Sequence, residues 1–404
     1  MEISQSVFDF VQNHLLDDTN TLRLKYSGKS VHENGFPIDF ALLQIEARRK
    51  ARKKLPGFLD HVDFVFPTLL AAEQASNEAV ARFHASLIPA GNTLLDLTAG
   101  LGIDDMSFAM TGIDVTACEL DAIKCEALSH NAVVMGVNDR INVVCGDSTA
   151  FIHHCNSTFD VVFADPARRD SKGSRTHALS DCQPDILGCL SDIMSIAPRL
   201  LVKCSPLLDL TLIRNTVNNL FHIHVVCFRG ECKEVLIDIR KDSCYSGISV
   251  LDIDREHIIS RFDIDNSPIS STDVIRYADR KGPADYKYLY EPNAGVMKTG
   301  EWCVLSSRYA DLRKVDPNTH LFVSDTYFKD FPGRILQIES EPDKKALKAL
   351  KGNRYNVVAR NYPISAPQVA AKFSLLPGSD YYIYAFRYSG SPAIVKARIM
   401  QDQE

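Results

Sequence analysis

The chain lacks the features of several specialised protein classes. Its 404 residues hold no uninterrupted apolar stretch near the ~18 residues that cross a bilayer. Its acidic start, MEISQSVFDFVQNHLLDD, is broken by polar residues and is not the pattern of a secretory signal. The 45 Lys and Arg are outnumbered by 51 Asp and Glu, which argues against a globally basic nucleic-acid binder. These absences predict a cytoplasmic globular protein without membrane contact, in which only local basic patches meet an anionic partner.

The eleven cysteines include no CxxC pair, and their number is odd. Cys118, Cys145 and Cys227 lie in apolar runs typical of strands. We therefore expect reduced and mostly buried thiols. The adjacent residues 153–155, His-His-Cys, have no second cluster to complete a metal site, so a helix surface is favoured and no metal is predicted.

The chain is long enough for two to four domains, and its pattern changes along its length. Residues 1–88 carry apolar residues at helical spacing and predict a helical N-terminal region. Residues 89–243 alternate short β-rich runs with helix-like stretches, which indicates an α/β domain with a parallel, doubly wound, Rossmann-like sheet. Residues 244–330 and 331–404 predict small α+β modules.

Seven runs in the α/β region predict strands, at 92–97, 114–120, 141–147, 159–165, 199–204, 221–228 and 232–240. The last run follows the sixth too closely for a crossover helix, so we expect this pair to be antiparallel. Farther on, ISVLDID, WCVLSS and HLFVSD are β-like, and the end of the chain predicts β–α–loop–α–β–β. EPDKKALKALKG is predicted to be an amphipathic helix with an acidic start, a basic end and Gly352 as its C-cap.

The strongest motif is LLDLTAGLGIDDMSFA at 94–109, a predicted strand, glycine-rich turn and helix. Gly100 and Gly102 let the backbone approach a ligand closely, as a nucleoside site requires. Asp105 replaces the third glycine of the dinucleotide pattern and is unfavourable beside a pyrophosphate. A nucleoside that carries an amino acid fits better, and S-adenosylmethionine is such a ligand.

Four consecutive predicted strands carry an acid near the carboxyl end, which is the ligand-binding edge of an open α/β sheet. Singly, each acid is equally typical of a solvated loop or a helix cap, but four in register indicate a methyltransferase. Asp96 is expected to accept from the methionyl ammonium and Glu119 from the ribose hydroxyls, and Asp147 or its backbone is expected to contact the adenine edge. The predicted cofactor-binding residues are Asp96, Thr98, Ala99, Gly100, Gly102, Glu119, Asp147, Ser148 and Asp165.

With these motifs the chain resembles a known family. Residues 90–240 look like class I S-adenosylmethionine-dependent methyltransferases, with DLTAGLG as the first motif. The whole chain is similar to a bacterial methyltransferase family with a C-terminal ferredoxin-like piece, here 244–330, and a THUMP-like module, here 331–404. The matching segments span nearly all 404 residues and are DLTAGLG, DPARR, KCSPLLD, GECKEVL, YLYEPNAGVMK, GRILQ and RNYPIS. THUMP domains bind tRNA and related RNA, so the resemblance implies an RNA substrate.

Asp165 and Pro166 lie where class I enzymes that act on bases carry their catalytic motif. In amino-directed enzymes, Asp/Asn-Pro-Pro-Tyr/Phe places a polar acceptor on the exocyclic amine and an aromatic ring on the flipped base. Ala167 and Arg168 depart from this pattern, which weakens the assignment to amino methylation. DPAR is closer to the DPPR of RNA uridine C5-methyltransferases.

Those C5-methyltransferases use a cysteine in Ser-Cys-Asn-Pro at the end of the following strand, where this chain has Lys203, Cys204, Ser205 and Pro206. A thiolate at this position adds to C6 of the pyrimidine, because C5 alone is a poor nucleophile. Lys203 is expected to lower the pKa of the thiol. The alternative is that Cys204 is a small apolar residue at a strand end. The predicted catalytic residues are Asp165, Pro166, Arg168 and Cys204.

Two basic clusters are candidates for contacts with RNA phosphates. The first follows the predicted catalytic motif and consists of Arg168, Arg169, Lys172 and Arg175. The second lies at 48–54, where Arg49 and Lys53 are the predicted contacts. In both cases the alternative is a solvated surface, with the first cluster paired to nearby acids.

Other residues have weaker functional interpretations. Glu231 and Glu234 are candidate acid/base groups, but we expect them on an edge strand. Base stacking by aromatic residues of the small domain is less favoured than a core role for them. These aromatic residues are Tyr286, Tyr288, Tyr290 and Trp302.

Three functions are compatible with the sequence. The leading one is an S-adenosylmethionine-dependent RNA methyltransferase that acts on a base of rRNA or tRNA. The second is a methyltransferase for a protein or a small molecule. The third, from another class, is a protein that binds S-adenosylmethionine or RNA without catalysis. The sequence does not specify the target nucleotide, the methylated atom or the oligomeric state.

Overall fold

The computed structural model describes residues 3–29, 31, 35–168, 182–210, 213, 221–241, 247–255, 257–265 and 274–400. The chain divides into two compact units. The first comprises residues 1–229, 233–247 and 253–259, and the second comprises residues 230–232, 248–252 and 260–404.

The helices of the first unit include six that precede its sheet. They are α1 (Gln5–Asn13), α2 (Thr19–Lys25), α3 (Ile38–Ala51), α4 (Pro56–Leu59), α5 (Leu69–Gln74), α6 (Glu78–Ser86), α7 (Ile103–Met110), α8 (Ala122–Val134), α9 (Ser148–His154) and α10 (Leu190–Ile196). The strands are β1 (Thr93–Asp96), β2 (Asp114–Glu119), β3 (Ile141–Cys145), β4 (Val161–Ala164), β5 (Ala167–Arg168), β6 (Cys182–Gln183), β7 (Arg199–Cys204), β8 (Phe221–Phe228) and β9 (Glu231–Arg240).

The main sheet of the first unit confirms the predicted Rossmann-like fold. Seven of its strands run in the order β8-β9-β7-β4-β1-β2-β3, and the pairs from β7 to β3 are all parallel. All four residues of β4 are buried, as expected for a central parallel strand covered on both faces. β9 is antiparallel to β7, so the last predicted strand enters the sheet in the expected direction. It lies between β8 and β7, so the expectation that Glu231 and Glu234 occupy an edge strand is wrong.

The helical N-terminal region contains a break that the sequence pattern did not show. TLLAAEQASNEAVARFHASLI is helical at both ends, but α5 ends at Gln74 and α6 begins at Glu78. The Asn77 side chain accepts from the backbone N–H of Ala79 at 2.9 Å and caps α6. The break frees Ala75 and Ser76 from both helices, so they are able to line a cavity.

The described residues from 247 onward carry further strands and four α-helices. The strands are β10 (Gly247–Ile253), β11 (Ile258–Asp265), β12 (Tyr288–Pro292), β13 (Arg313–Asp316), β14 (Thr319–Ser324), β15 (Gly333–Ser340), β16 (Asn356–Arg360), β17 (Tyr381–Tyr388) and β18 (Ser391–Ile399). The helices are α11 (Ala294–Thr299), α12 (Trp302–Arg308), α13 (Lys344–Ala349) and α14 (Ala366–Phe373). Seven of these strands form a sheet in the order β13-β14-β12-β15-β18-β17-β16.

Two local expectations for the second unit are wrong. WCVLSS is the helix α12 and not a strand, because a short apolar run does not by itself distinguish a strand from a half-buried helix. The expected loop between the last two helices contains β16, which pairs in parallel with β17. The helix α13 is confirmed, with Asp343 as its N-cap, but its C-cap is Leu350 and not Gly352, which has a φ of 81° two residues farther on.

Several side-chain expectations are met. Tyr286 and Tyr290 are buried in the second unit, and Trp302 stacks on His320 with ring centroids 4.4 Å apart, so these aromatic residues have the expected packing role. Free thiols among the described residues include Cys118, Cys125, Cys145, Cys155, Cys189, Cys204 and Cys303. Of the ten described cysteines, Cys118, Cys125 and Cys227 are buried, Cys145 is exposed and the other six are half-buried, so the expectation of mostly buried thiols is wrong. Within the described ranges, no helix combines the length and apolar character needed to cross a membrane.

Candidate active site

A cavity of about 550 Å³ opens at the carboxyl edge of the parallel strands in the first unit. This volume lies in the range of cofactor and small-molecule sites. All nine residues predicted to bind the cofactor line it, namely Asp96, Thr98, Ala99, Gly100, Gly102, Glu119, Asp147, Ser148 and Asp165. The parallel register explains this convergence, because strands that run in the same direction end at the same edge of the sheet.

The glycine-rich turn is held against the end of β2. The backbone N–H of Gly100 donates to Oε2 of Glu119 at 2.9 Å, and the N–H of Ala99 donates to the carbonyl of Cys118 at 2.9 Å. Gly102 has a φ of 80°, and a Cβ atom there would lie 1.9 Å from Cδ1 of Leu128 on α8. Only glycine therefore allows this backbone to pass so close to the helix.

Asp96 and Asp165 are joined through Thr98. The backbone N–H of Thr98 donates to Oδ1 of Asp96 at 2.7 Å, and the Thr98 hydroxyl accepts from the N–H of Asp165 at 2.6 Å. Asp96 is only 1% exposed. Burial raises the pKa of Asp96 to about 7; the Thr98 hydrogen bond opposes this rise, and the nearby Asp104 carboxylate adds to it. One threonine thus links the Asp96 carboxylate at the end of β1 to the backbone of Asp165 just after β4.

Asp147 also has a local structural task. Its Oδ1 accepts from the backbone N–H of Thr149 at 2.8 Å and from the Thr149 hydroxyl at 2.7 Å, which caps α9. These two hydrogen bonds hold the pKa of Asp147 below its usual value. Ser148 is buried at the first position of the helix. His153 and His154 are exposed at the end of the same helix, as expected for a helix surface.

Lys203 forms the centre of a polar network behind the cavity. Its ammonium donates to Oδ2 of Asp165 at 2.7 Å and to the hydroxyl of Ser76 at 2.8 Å, and it lies 4.0 Å from Asp104. Burial alone lowers the pKa of Lys203, but the carboxylates of Asp165, Asp104 and Glu234 outweigh burial and raise it above the usual value. Lys203 is therefore a fixed positive charge beside the Asp165 carboxylate.

The network continues to a fully buried histidine. Nδ1 of His84 is 2.8 Å from Oδ1 of Asp104, and Nε2 contacts Oε1 of Glu234. Burial alone lowers the pKa of His84, but Glu234 and Asp104 outweigh it and raise the pKa to about 10. At neutral pH the ring is therefore an imidazolium. Its Nδ1–H donates to Asp104 and its Nε2–H donates to Glu234.

Sequence reasoning missed most of this network. Ser76, Asp104 and Lys203 were not among the predicted site residues, and His84 and Glu234 are 150 residues apart in the chain. The Ser-Asn-Glu sequence at 76–78 was an available signal, because it is typical of a helix start. No pattern in the sequence indicated the contacts of His84.

Described residues that follow Asp165 in the chain also line the cavity. Pro166 is half-buried, and Ala167 and Arg168 form β5, which pairs with β6. Gln183, Pro184, Asp185 and Cys189, which follow in the chain, line the cavity with Ala167 and were not predicted. Pro166 is not among the described residues that line it. Arg169, Lys172 and Arg175 lie outside the described residues.

The expectation that Lys203 lowers the pKa of Cys204 is wrong. The Lys203 ammonium contacts Asp165 and Ser76, while the Cys204 thiol lies 3.8 Å from the carbonyl of Val202. Desolvation and nearby negative groups, which include Asp165, raise the pKa of this thiol well above its usual value. Cys204 does not line the cavity. The geometry therefore favours the interpretation of Cys204 as a small residue at a strand end.

The basic segment at 48–54 is partly internal. Arg48 is buried and donates to backbone carbonyls, including that of Phe64 at 2.8 Å. Arg49 donates to the carbonyl of Leu15 at 2.7 Å and to that of Asp17. Its Nε and one terminal nitrogen are thus engaged just beyond the end of α1, and the phosphate contact of Arg49 stays a prediction. Lys53 is exposed.

The polar groups of the cavity fit S-adenosylmethionine. Three carboxylates along its edge, Asp96, Glu119 and Asp147, supply acceptors, which suit an ammonium, a ribose diol and an exocyclic amine. The same carboxylates repel a pyrophosphate, so a dinucleotide does not fit.

Known proteins resemble this chain in both units. Residues 91–246 match the profile of a family described as RNA cap guanine-N2 methyltransferase, and residues 288–332 match a ferredoxin-like domain. The crystal structure of a candidate methyltransferase from Porphyromonas gingivalis W83 is similar at a TM-score of 0.83 and 24% identity, over 99% of this chain and 100% of that one. This match shows that the fold is shared over nearly the whole chain.

Two partial matches are weaker. A candidate rRNA methylase from Clostridium thermocellum has a TM-score of 0.31 and 13% identity, over 40% of this chain and 94% of that one. A candidate RNA methyltransferase from Pyrococcus horikoshii has a TM-score of 0.30 and 16% identity, over 41% of this chain and 84% of that one. Likeness at this level carries no conclusion about the substrate.

The fold, the cavity and the family profile agree. The chain carries a class I methyltransferase domain with a C-terminal ferredoxin-like module. The protein is a methyltransferase, and its cofactor is S-adenosylmethionine.

Proposed function

We propose that this S-adenosylmethionine-dependent methyltransferase methylates a nitrogen of an RNA base in the cytoplasm, by direct transfer. The observation that carries the proposal is the pair formed by Asp165 and Lys203 in the cofactor cavity. A carboxylate is presented where a base would enter, and the thiol that a covalent route requires is outside the cavity. The family whose profile matches residues 91–246 is described as an RNA cap guanine-N2 methyltransferase. Its described target is thus a nitrogen of an RNA base, which supports the same substrate class.

The roles of the predicted residues follow from their positions. When bound, S-adenosylmethionine supplies a methyl group that a nitrogen lone pair accepts as the carbon–sulfur bond breaks and its electron pair stays on sulfur. Asp96 would hold the ammonium and Glu119 the ribose hydroxyls, while Gly100 and Gly102 let the backbone approach the ligand. The carboxylate of Asp165 would orient the target nitrogen and accept the proton that this nitrogen loses.

Lys203 supports Asp165 electrostatically. Burial raises the pKa of Asp165, and the Lys203 ammonium opposes this rise and fixes the direction of the carboxylate, so that Asp165 would act as an acceptor. Asp104 and Ser76 hold the ammonium from the other side. We regard Lys203 as a positioning residue, because it contacts Asp165 and not the expected substrate.

The RNA assignment also draws on the remaining predictions. Arg168, Arg169, Lys172 and Arg175 follow the catalytic motif, and we propose that they contact RNA phosphates. We also propose that 331–404 is the THUMP-like module and contributes to RNA docking. The chain as a whole carries a net charge of −6, so RNA binding would depend on such local patches.

Nucleoside mass spectrometry of total RNA from cells with and without the gene tests the proposal. We expect one N-methylated nucleoside to disappear in the deletion strain, to return with the wild-type gene and to stay absent with Asp165→Asn. An unchanged RNA profile contradicts the proposed substrate. Loss of a 5-methylpyrimidine contradicts the proposed nitrogen acceptor.

Two other functions predict different results. A methyltransferase for a protein or a small molecule would bind RNA weakly, with little dependence on salt. A non-catalytic protein would bind S-adenosylmethionine or RNA and would methylate neither RNA nor other substrates. Thermal stabilisation by millimolar S-adenosylmethionine, together with labelled-methyl transfer to RNA from the deletion strain, separates these cases.

A further inference from the structure

A second cavity of about 170 Å³ in the first unit is lined by cationic side chains. Lys53 and Lys54 follow α3, Arg82 lies on α6, and Arg255 lies in the segment 253–259. The other lining residues are Pro56, Gly57, Asn77, Glu78, Ala79 and Phe228. Among these described residues, four cationic side chains surround one carboxylate.

The carboxylate of Glu78 is already engaged. Oε2 of Glu78 accepts from the backbone N–H of Gly57 at 2.8 Å, and Oε1 pairs with the guanidinium of Arg82. The side chain of Glu78 is only 7% exposed, so its position is fixed by burial. One negative charge offsets one of four positive charges, and the cavity keeps an excess of positive charge.

Lys54 is half-buried at this cavity and also lies near cations outside it. Burial lowers the pKa of Lys54, and repulsion from Lys203 and Lys233 lowers it further. Its ammonium donates to the backbone carbonyls of Glu73 and Ala75, which carry no full charge. An anion in this cavity would relieve the repulsion.

Lys53 and Arg255 are exposed at the mouth of the cavity. Within the described parts of the chain, neither side chain forms an ion pair. Their charges are therefore available to a ligand. Arg255 also anchors this mouth through its backbone carbonyl, which accepts from the guanidinium of Arg82 at 3.3 Å.

The cationic cavity shares a wall with the methyltransferase cavity. Residues 74–76 line the methyltransferase cavity, and residues 77–79 line the cationic one. The ammonium of Lys54 donates to the carbonyl of Ala75, and the next residue, Ser76, contacts Lys203 beside Asp165. Neighbouring parts of one extended ligand can therefore occupy the two cavities.

We propose that the cationic cavity binds a backbone phosphate of the RNA substrate close to the target nucleotide. The inference rests on the proposed RNA methyltransferase function. S-adenosylmethionine has no phosphate, so this positive charge has no partner in the cofactor. Arg and Lys in a small cleft are typical of phosphate recognition.

The volume of the cavity limits what enters it. It equals the liquid volume of roughly five to six water molecules. It suits a phosphate group better than a complete nucleotide. The half-buried ring of Phe228 forms an apolar wall, against which a neighbouring ribose or base can pack.

A phosphate bound in this way positions RNA without reading its sequence. It aligns the strand so that the target base enters the methyltransferase cavity. Removal of the cationic side chains should therefore weaken RNA binding and raise the KM for RNA, while turnover at saturating RNA stays near the wild-type value.

The test compares RNA binding and methyl transfer in the full-length protein. The variant Lys53→Gln/Arg255→Gln removes the two exposed charges. The control Lys25→Gln/Lys29→Gln removes two exposed lysines elsewhere in the first unit. Lys53→Arg/Arg255→Lys retains both charges. The probe is total RNA from cells that lack the gene, titrated from low to high salt, and S-adenosylmethionine stabilisation verifies that the cofactor site of each variant is intact.

We expect the first variant to reduce the slope of log affinity against log salt by ~0.7 for each phosphate that it no longer neutralises. We also expect a roughly tenfold rise in the KM for RNA, with wild-type behaviour of the control and of the charge-retaining variant. If the wild-type protein binds RNA with a salt slope and the first variant matches the control, the phosphate site is wrong and the RNA function stands. If the wild-type protein neither binds nor methylates the RNA, both proposals fail.

Discussion

The ammonium of Lys203 lies 2.7 Å from Oδ2 of Asp165 and joins the ends of the neighbouring parallel strands β7 and β4. Only 13% of the lysine side chain is exposed, compared with 43% of the aspartate side chain. A buried, permanent positive charge thus supports a carboxylate that remains accessible from the cavity. This relationship leads to the first prediction.

Asp165→Asn should lower kcat by ~10²–10⁴-fold, because an amide cannot accept the proton from the target nitrogen. Binding of S-adenosylmethionine should persist, since Asp96 and Glu119 are unchanged. Single-turnover methylation and thermal stabilisation measure the two properties separately. The control is Asp192→Asn, which replaces an exposed aspartate on α10. Undiminished activity of Asp165→Asn would remove this residue from the proposed mechanism.

Cys204→Ala should keep methyl transfer within about twofold of the wild-type rate. Its thiol has a raised pKa and lies outside the cavity, so it is unsuited to act as a nucleophile. Turnover with RNA from the deletion strain measures the effect. If the variant folds, binds S-adenosylmethionine and fails to methylate, the covalent route returns as the better explanation.

Affinity for S-adenosylmethionine should rise with pH through about 7, because Asp96 ionises near that value and its carboxylate is proposed to hold the ammonium. The affinity should fall again above the ~7.7–8.0 range in which an α-amino group loses its proton. Isothermal titration from pH 5.5 to 9 measures this profile. Asp96→Asn should bind more weakly and lose the rising limb; an unchanged limb would assign the titration to another group.

His84 should stabilise the fold most strongly below its unfolded pKa of about 6.5. Because its folded pKa is about 10, the folded state holds more protons between these values, and the free energy of unfolding falls as pH rises through this window. His84→Gln should cost ~3–5 kcal/mol near pH 6.5, since Asp104 and Glu234 lose their buried cation. Urea unfolding at several pH values should show a flatter dependence for the variant, and parallel curves would contradict the assigned protonation.

Asp105→Asn should stabilise the protein at neutral and alkaline pH. Both carboxylate oxygens of Asp105 are buried without a hydrogen-bond partner among the described residues. Burial and the nearby Asp96 and Asp104 carboxylates raise the pKa of Asp105 well above its unfolded value. Its contribution to stability is therefore greatest at low pH and is lost as pH rises. Thermal unfolding from pH 4 to 9 should show the gain of the variant growing with pH, and a loss of stability at pH 9 would contradict it.

Much of the fold and of the cofactor site was predictable because it depends on local patterns. Short apolar runs that alternate with helices predict a parallel sheet, and parallel strands bring their carboxyl ends to one edge. The acids at those ends therefore meet in one cavity whatever their packing details are. The same local reasoning failed for WCVLSS, since a short apolar run occurs both in strands and on half-buried helices.

The groups that surround Asp165 depend on contacts between distant parts of the chain. Lys203 was expected beside Cys204 because the two are adjacent in sequence, but its side chain points to Asp165 and Ser76. Successive residues of a strand face opposite sides of the sheet, so sequence neighbours do not share an environment. Arg49 was predicted to contact RNA because it lies in a basic run of the sequence. In the fold, its guanidinium donates to backbone carbonyls of its own chain.

The sequence by itself determined that four strands deliver Asp96, Glu119, Asp147 and Asp165 to one edge of an α/β sheet, because strand periodicity and direction are local properties. Only the tertiary structure decided which buried cations and acids contact those residues and one another. The break between α5 and α6 brings Ser76 to Lys203, and β9 brings Glu234 to His84. Burial then sets the charge of each group, since desolvation and opposite charges act through space and not along the chain.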